Sequence, residues 1–416
     1  MTERALEGVR VVEFTDELGS YCGKLLADLG ADVVKVEPPG GGLQRRNPPF
    51  FHDREGIDTS LDFWFHNTSK RSIVLDLDDP KDREIATKLA RRAQILLEDM
   101  PPGHLAEHGL GFDELKASNP ALVYTSVTGF GQTGPHSHWA YSDIVGQATG
   151  GVMTLAGEPA DPPNQIAGRQ ANISASIQAA QGTMAALLYA EATSQGQQVD
   201  VSAQESLSMS QETAMQTWDF QKRNRTRTGE RGMLPISLPA LGVYEALDGY
   251  VYVMVLAPAG ADLPELVAWM AEEDKAEDLG EEPYASLIGT LNMAYLTQVM
   301  TDPSKAAAVA GQLQHIHEVI GRFIASKPAR DVYEQGQQRS LLFGLVSTPE
   351  DLANNTQLRA RNWFQEVEPA AAGEAVEFPG LPYRLSETPG RLGPPPKLDE
   401  HRDSILAELD TVEAAR

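Results

Sequence analysis

The first 130 residues alternate between strand-like and helix-like hydrophobic periods, and this alternation constrains the fold more than any other feature of the chain. Strands are predicted at Val9–Phe14, Ala31–Val36, Ser72–Leu77, Gln94–Leu97 and Leu122–Val127. Apolar residues at helical spacing fill 18–29, and Pro80 opens a second helix that runs to about Ala93. Strands that alternate with helices form parallel sheets covered by helices. The chain is therefore predicted to be an α/β protein.

The pattern changes in the second half of the chain. The further predicted elements are a long alanine-rich helix over 170–195, a strand at 198–201, a helix over about 204–222, a hairpin at Gly242–Val253 and helices over about 261–333. The polar, glycine-bearing stretch 224–232 indicates a crossing between domains. Six prolines from Pro379 to Pro396 predict an extended segment that wraps a surface.

The charge balance excludes several classes of partner. Asp and Glu outnumber Lys and Arg by 59 to 34, which gives a formal net charge of −25. Nucleic acids and anionic membranes are bound through basic surfaces, so neither is an expected partner. No apolar run approaches the roughly 18–20 residues that span a bilayer, and the segment from Met1 to Leu6 has no apolar signal-peptide region. A cytoplasmic location is predicted.

Neither the single cysteine nor the histidines predict a reactive or metal site. Cys22 excludes an internal disulfide, and it is interpreted as an inert, partly buried helix residue because Lys24, two positions along, points to another helix face. The stretch from His104 to His108 matches the H-x-x-E-H pattern of some metalloproteases. Three fixed positions in five residues are a weak signal, and no metal site is predicted.

Five segments resemble the class III CoA-transferase family, which includes formyl-CoA transferase, carnitine CoA-transferase and α-methylacyl-CoA racemase. They are Leu6–Glu13 with Leu26–Glu37, Asn67–Ser72, Gly129–Pro135 with Tyr141 and Asp143, Gly196–Ser202, and Ser386–Pro389 with Leu398–His401. Each segment alone is a weak signal, but all five at family spacing extend over nearly the whole chain. On these residues the chain is identified as a member of the family.

The resemblance implies a Rossmann-like large domain and a smaller α+β domain, in an interlocked, ring-like dimer of the class III type. The large domain would comprise residues 1–225, the small domain 226–335, and a C-terminal segment, 336–416, would return to the large domain. The resemblance also implies a mechanism. An aspartate attacks an acyl-CoA thioester to form an anhydride and then an aspartyl-CoA thioester, which passes CoA to a second carboxylic acid.

The family's aspartate is replaced in this chain. It precedes by ten residues a glycine in a small-residue helix, and the matching glycine is Gly182, which places Asn172 at the aspartate position. A carboxamide is uncharged and a poor nucleophile, so it cannot form the anhydride. The only acidic residue between Ile166 and Thr193 is Glu191, at the far end of the helix. No catalytic residue is therefore expected in this chain.

The positions that would contact CoA have also changed. They are Pro38, Lys70, Asp99, Met100, Pro101 and Glu107. In family members, arginines or other basic residues hold the CoA phosphates at positions where this chain has Pro38, Pro101 and Glu107, and Asp99 adds a further anion. Each charge-assisted phosphate contact is worth about 1.5–3 kcal/mol. Lys70 alone does not make a CoA site, so this chain is expected to bind no cofactor, with CoA thioesters as substrates of a complex.

Three functions are open to a family member with these changes. A racemase is rejected, because the family's His-Asp pair appears here as Ser142-Asp143 and its aspartate as Asn172. An active homodimeric acyl-CoA transferase or lyase would need non-standard chemistry at Asn172. A catalytically silent subunit would instead link with a paralogous, aspartate-bearing catalytic subunit and complete its fold, as the loss of nucleophile and phosphate cations together favours.

The silent-subunit hypothesis implies a heteromeric CoA-transferase that acts on small carboxylic acids through its partner. Two reactions of family members with two different subunits fit it. One moves CoA from succinyl-CoA to (R)-benzylsuccinate in anaerobic toluene breakdown, and the other moves CoA from succinyl-CoA to malate or citramalate. The first is the prediction, because it better suits a chain whose own site is so altered.

Overall fold

The computed structural model describes residues 4–211, 213–231, 238–255 and 260–413. The chain divides into two units, the first made of Met1–Met153, Gln165–Asp219 and Thr356–Arg416, and the second of Thr154–Asn164 and Phe220–Asn355. Among the described residues, no helix is both long and apolar enough to cross a membrane.

A parallel sheet forms the centre of the first unit, as the alternation of periods predicted. Its strands are β1 Arg10–Phe14, β2 Asp32–Glu37, β3 Arg71–Val74, β4 Ile95–Glu98, β5 Val123–Thr128 and β6 Gln198–Ser202. The helices between them are α1 Ser20–Asp28, α2 Leu61–His66, α3 Pro80–Arg92, α4 His104–Glu107, α5 Phe112–Lys116, α6 Asp143–Thr149 and α7 Gln170–Thr193. The fold class predicted from the sequence, a Rossmann-like α/β domain, is confirmed.

Side-chain alternation along the strands explains why helices cover both faces of the sheet. On β1, Val11 packs in one apolar cluster with residues of α1 and α7, whereas its neighbour Val12 packs in another with residues of α3. Successive side chains of a strand point to opposite faces, so the adjacent buried valines of β1 show that the strand is covered on both faces. The sheet is therefore the middle layer of three.

The strand order β3-β2-β1-β4-β5-β6 reverses direction between β1 and β4. The two strands pair in parallel, with Phe14 opposite Glu98 at their carboxyl ends. In doubly wound sheets the loops that leave neighbouring strands at such a point diverge to opposite faces, and the crevice between them is where ligands bind. The topology therefore places a candidate site after Phe14 and Glu98.

The last part of the first unit, Thr356–Arg416, packs beside this sheet. It contains α16 Thr356–Ala360, the antiparallel pair β10 Phe364–Val367 and β11 Val376–Pro379, and α17 Arg402–Glu413. The fully buried Arg45 guanidinium pairs with Glu37 at 2.6 and 2.8 Å and donates to the Pro396 carbonyl at 3.3 Å. The Asp399 carboxylate accepts from the Val74 backbone N–H at 2.7 Å. These contacts fix residues 396–399 beside β2 and β3.

The second unit has its own core. The predicted hairpin is confirmed as β7 Leu241–Glu245 and β8 Tyr250–Met254, and β9 Phe343–Leu345 joins it to form an antiparallel sheet. The helices are α10 Leu263–Glu272, α11 Tyr284–Thr290, α12 Met293–Thr301, α13 Pro303–Ala325, α14 Ala329–Gln338 and α15 Pro349–Ala353. Trp269, Phe323 and Phe343 are fully buried at the centre.

One predicted helix is divided in the structure. The helix expected over about 204–222 is instead α8 Ala203–Ser208, a 3-10 turn at Met209–Gln211 and α9 Thr213–Gln221. The hydroxyls of Ser206 and Ser208 each donate to the carbonyl four residues back, at 2.8 Å. Such bonds compete with the helix ladder and favour its interruption. In the predicted domain crossing, residues 224–228 have no regular structure, and position 232 lies outside the described residues.

Candidate functional site

A cavity of about 410 Å³ lies at the carboxyl ends of β1, β4 and β5, where the strand order reverses. It is lined by Asp16, Glu17, Leu18, Leu43, Asp99, Met100, Pro101, Pro102, Thr128, Gly129, Asn172 and the loop from Ser137 to Ser142. Its volume falls in the range of small-molecule sites. The topology and the cavity thus agree on one candidate site.

Asn172, the third residue of α7, presents its amide to this cavity. The residue is 5% exposed. Its Oδ1 accepts a hydrogen bond from the Tyr141 hydroxyl at 3.0 Å, and its Nδ2 lies 3.5 Å from the Glu17 carbonyl oxygen. The amide therefore has partners on both sides and keeps a fixed orientation.

Two neighbours hold the start of α7 in place. The Asp143 carboxylate accepts from the backbone N–H groups of Ala171 and Asn172, at 2.9 and 3.1 Å, and so caps the helix. The Tyr141 ring packs so closely against Gly129 and Gly146 that a Cβ on either glycine would overlap it. Sequence positions 129, 141, 143 and 146 thus act together to place the phenol on Asn172.

The pair of Tyr141 and Asn172 is uncharged at neutral pH. Burial, together with the Asp143 carboxylate, raises the pKa of the Tyr141 hydroxyl above its ordinary value near 10. A protonated phenol and a carboxamide can orient a bound group by hydrogen bonds. They supply no nucleophile for an acyl group, because neither carries a localised negative charge.

Two carboxylates of the cavity are engaged with backbone groups. Asp99 accepts from the N–H groups of Asp16, Leu18 and Gly19 at 2.9–3.0 Å. Burial raises the pKa of the Asp99 carboxyl to about 6, although these hydrogen bonds act in the opposite direction. Asp16 accepts from the N–H groups of Leu43 and Gln44 at 2.6 and 3.0 Å. Both carboxylates therefore fix loops that form the cavity wall.

Glu17 is the third carboxylate of the cavity, and it pairs with an arginine. Its Oε1 lies 3.3 Å from the Arg169 guanidinium and accepts from the Asn47 amide at 2.7 Å. Arg169 also contacts Asp62 at 3.1 Å. Arg169 directly precedes α7, so this cation lies near Asn172 but is shared between two acidic groups.

The sequence pattern of CoA-transferase family III matches residues 6–402, nearly the whole chain. The chain belongs to this family.

Curated relatives agree with the assignment to CoA-transferase family III. The succinyl-CoA:(R)-benzylsuccinate CoA-transferase subunit BbsE of Thauera aromatica is 34% identical over 402 residues, covering 96% of this chain and 93% of the relative. The succinate–glutarate CoA-transferase of Agrobacterium fabrum is 30% identical, covering 98% and 96%. Among solved structures, a CAIB/BAIF family protein from Brucella suis matches with a TM-score of 0.81 at 27% identity, covering 99% of this chain and all of that one.

The structure brings together four of the seven positions considered for the family's catalytic and CoA-binding roles. Asn172, Asp99, Met100 and Pro101 line the cavity. Asp99, Met100 and Pro101 follow the carboxyl end of β4. They reach the cavity because this end lies next to the carboxyl end of β1, which Asp16 and Glu17 follow. The other three positions, Pro38, Lys70 and Glu107, are not among its lining residues.

Lys70 lies in the interior, with three partners for its ammonium group. It donates to Glu13 Oε1, to the Ser20 carbonyl and to Asn67 Oδ1, at 2.8–2.9 Å. Burial lowers the pKa of Lys70 to about 8 despite the neighbouring Glu13 carboxylate. An ammonium group offers three protons, and all three are used here. In this arrangement Lys70 stabilises the buried Glu13 and has no proton left for a phosphate.

Pro38 and Glu107 are both exposed. Pro38 follows β2, and Glu107 is the last residue of α4. Neither position carries a cation, and Pro101 in the cavity wall carries none either. The residues that line the cavity contribute three carboxylates and one imidazole, His138, but no lysine or arginine.

Several cavity residues were not predicted from the sequence. Asp16 and Glu17 sit in the turn after β1, and Trp139 lies in the loop that follows the Gly129–Pro135 motif. Trp139 belongs to an aromatic group with Phe130 and His136, whose ring centroids are 6.2 and 3.6 Å from its own. Acidic residues directly after a strand at the reversal of strand order were the signal available for Asp16 and Glu17.

The remaining sequence candidates lie elsewhere. The Cys22 thiol is fully buried, and burial raises its pKa well above the ordinary value, so it stays protonated at neutral pH. The Nδ1 of His108 lies 2.9 Å from the His104 carbonyl oxygen, and its Nε2 lies 3.3 Å from the Asp78 carboxylate. The described residues hold no group of three or more His, Cys, Asp or Glu side chains placed to share a metal ion.

Proposed function

We propose that this chain is the catalytically silent subunit of a heteromeric CoA-transferase that moves CoA between dicarboxylic acids. Its partner would be a paralogous chain of the same family that carries the catalytic aspartate. The reaction proposed is CoA transfer from succinyl-CoA to (R)-benzylsuccinate.

The observation that carries the proposal is the amide of Asn172 in the cavity where the strand order reverses. The amide stands where the family resemblance places the nucleophilic aspartate, and the Tyr141 hydroxyl and the Glu17 carbonyl hold it in place. An anhydride requires a carboxylate that first attacks the thioester and then carries the acyl group. In this proposal the cavity corresponds to the family's active site but lacks a group that can form the anhydride.

The charges around the cavity support the same conclusion. No lysine or arginine lines it, and Lys70 is fully engaged inside the protein. Charge-assisted contacts to phosphate are worth about 1.5–3 kcal/mol each, so several missing contacts weaken CoA binding by orders of magnitude. We therefore infer that the complex binds CoA thioesters through the partner subunit.

The choice of substrates rests on the relatives. The relative at 34% identity is named as a subunit of a succinyl-CoA:(R)-benzylsuccinate CoA-transferase. Others, at 30–31% identity, are named for succinate with glutarate and for succinyl-CoA with mesaconate. Each of these names includes a dicarboxylic acid. An interlocked pair of unlike chains would allow one of two sites to lose its reacting group while both folds remain necessary.

One observation favours a second candidate, an active transferase with a substitute nucleophile. The Glu17 carboxylate lines the same cavity, and its backbone carbonyl lies 3.5 Å from the Asn172 amide. In that case a homodimer of this chain would be active, and Glu17→Gln would abolish turnover. The ion pair with Arg169 lowers the nucleophilicity of this carboxylate, so the silent subunit is the better proposal.

The deciding experiment is purification of the native complex, followed by mass analysis of the intact assembly. CoA binding is then measured on each separated subunit. The proposal expects a second family member with an aspartate at the position of Asn172, at equal stoichiometry, and CoA bound only by that partner. A homodimer of this chain that binds CoA and turns over substrate would contradict it.

A further inference from the structure

A second cavity in the first unit, of about 620 Å³, lies between residues 358–365 and 381–390. None of its lining residues lines the cavity at Asn172. It opens beside the β10–β11 pair, whose first register pair is Phe364 with Pro379. This aromatic–arginine groove is named for four of its lining residues, Arg361, Trp363, Tyr383 and Arg384.

The groove carries positive charge in a strongly acidic chain. Its lining includes two arginines and no Asp or Glu, although acidic residues outnumber basic ones 59 to 34 in the whole sequence. Within the described residues, neither the Arg361 nor the Arg384 guanidinium has a hydrogen-bond or ion-pair partner. By contrast Arg359, two positions before Arg361, pairs with the Glu377 carboxylate. Two unpaired guanidinium groups facing one cavity are arranged to receive an anion.

Two aromatic residues, Trp363 and Tyr383, line the same groove, and hydrogen bonds fix the backbone at Trp363. The Trp363 N–H donates to the Leu358 carbonyl at 3.1 Å, and the Trp363 carbonyl accepts from Gly380 at 2.9 Å. The Trp363 ring packs edge-on against Phe364, with centroids 4.9 Å apart. Tyr383 is 43% exposed, so part of its side chain is accessible to a ligand. Exposed rings next to arginines stack on planar groups.

We propose that the aromatic–arginine groove binds a nucleotide through its phosphates and its base. Guanidinium groups match phosphate oxygens with two parallel N–H donors, which a simple point charge does not. The rings of Trp363 and Tyr383 supply stacking surfaces for a base. The volume of the groove suits a ligand of nucleotide size, and a single inorganic anion would leave most of the groove empty. This site does not depend on the reaction at Asn172, and binding is measured without turnover.

The test is isothermal titration calorimetry of adenosine 3′,5′-bisphosphate and ADP with the protein in the assembly in which it is purified. Saturable binding is expected, with affinity that falls as salt rises, because the contacts are charged. Arg361→Gln and Arg384→Gln should each weaken binding about tenfold or more. Arg359→Gln is the matched control, since it removes the same charge two residues away from a guanidinium that already has a partner.

A second variant separates base recognition from anion binding. Tyr383→Leu keeps an apolar side chain at an exposed position and should weaken the nucleotides several-fold while leaving inorganic pyrophosphate unchanged. Equal binding of pyrophosphate and nucleotide, with no effect of Tyr383→Leu, would overturn the nucleotide assignment. Absence of nucleotide binding in the purified assembly would also overturn it. That result is expected if a partner subunit or an acidic peptide covers the groove. An equal loss with Arg359→Gln would show that net charge alone is responsible.

Discussion

At the scale of single residues, position 172 carries a carboxamide where the family resemblance implies a carboxylate, and these two groups differ in charge but little in shape. The surrounding contacts suit an acceptor at this place, since the Tyr141 hydroxyl donates to Oδ1. An aspartate would keep that hydrogen bond, but it would stand close to Asp143, which already caps the same helix end. It would also lose the donor that Asn172 Nδ2 directs at the Glu17 carbonyl oxygen, so an acid at this position depends on groups beyond position 172.

Restoring the aspartate alone is not expected to create an enzyme. The Asn172→Asp variant of the isolated chain should have no CoA-transferase turnover above that of the unchanged chain, because no lysine or arginine of the cavity would hold the CoA phosphates. The measurement is transfer from succinyl-CoA to benzylsuccinate or glutarate. Asn172→Ala serves as the matched control. Measurable turnover by Asn172→Asp without a partner would contradict the silent-subunit hypothesis.

Glu98 provides a pH-dependent test of the loop that borders the cavity. Burial raises the pKa of its carboxyl from 4.5 to about 7, helped by the Asp99 and Asp200 carboxylates. The folded chain thus keeps a proton that the unfolded chain loses between about pH 4.5 and 7. The contribution of Glu98 to the free energy of unfolding therefore falls as pH rises through this window, by about 3 kcal/mol.

The Glu98→Gln variant should lack this decline. Its amide oxygen can still accept from the Met100 N–H, which the carboxylate now does at 2.9 Å. Urea unfolding between pH 4.5 and 8 is the measurement, and the wild type should lose about 3 kcal/mol relative to the variant as pH rises. Parallel stability curves for the two proteins would mean that Glu98 is not protonated in the folded chain at mildly acidic pH.

At the scale of elements, α1 is held against the sheet by a buried charged group. The Glu13 carboxylate on β1 accepts from Thr15, Lys35 and Lys70 through its Oε1, at 2.6–3.0 Å. The described residues give Oε2 no hydrogen-bond partner, and this atom faces Gly23 of α1. Only a residue without a Cβ fits at position 23, so the helix approaches the strand at a glycine.

Gly23→Ala should therefore destabilise the first unit despite the better helix propensity of alanine. Its Cβ would overlap Glu13 Oε2, and the carboxylate cannot move aside without breaking its bonds to two lysines. We expect a loss of about 2–4 kcal/mol in the free energy of unfolding, measured by urea denaturation.

Gly311→Ala is the control for helix propensity. Gly311 is exposed within α13, and a Cβ there meets no atom within 4 Å. This substitution should stabilise the second unit by about 0.5–1 kcal/mol. A stabilising effect of Gly23→Ala of similar size would show that Glu13 is free to move.

At the scale of the whole molecule, the chain combines strong net charge with exposed apolar surface. A charge of −25 favours solubility through repulsion. Yet α9 buries none of its residues, and Met209, Met215 and Trp218 are 72%, 58% and 49% exposed. Apolar side chains grouped along one short segment are typical of a surface that another chain covers. In the proposed heteromer that chain would be the catalytic subunit.

The chain expressed alone is expected to aggregate, and expression with an aspartate-bearing paralogue should keep it soluble. Replacing Met215 and Trp218 by serine should reduce aggregation of the single chain and weaken its pairing with the partner. Leu247→Ser is the matched control, because Leu247 is an exposed leucine in the turn after β7. Light scattering and size-exclusion chromatography measure both effects. A stable, monodisperse homodimer of the chain alone would contradict the heteromer.

The sequence by itself determined the α/β class, the order of the central strands along the chain and the family. Strands such as β1 and β4 consist mostly of consecutive apolar residues, and this local pattern does not depend on distant residues. It also singled out Asn172, through its distance to Gly182 within one helix, and the structure places this residue in the cavity. It did not predict α17, which follows a segment whose prolines indicated only extended chain.

Only the tertiary structure decided which side chains meet. Asp99 reads as an added anion in the sequence, but in the fold its carboxylate binds backbone N–H groups of the loop after β1. Lys70 reads as a cation left for phosphate, yet it is buried against Glu13, 57 positions away. Such pairs depend on strand order and register, which bring distant segments together. A sequence pattern records periodicity within a segment and carries no information on how segments are paired.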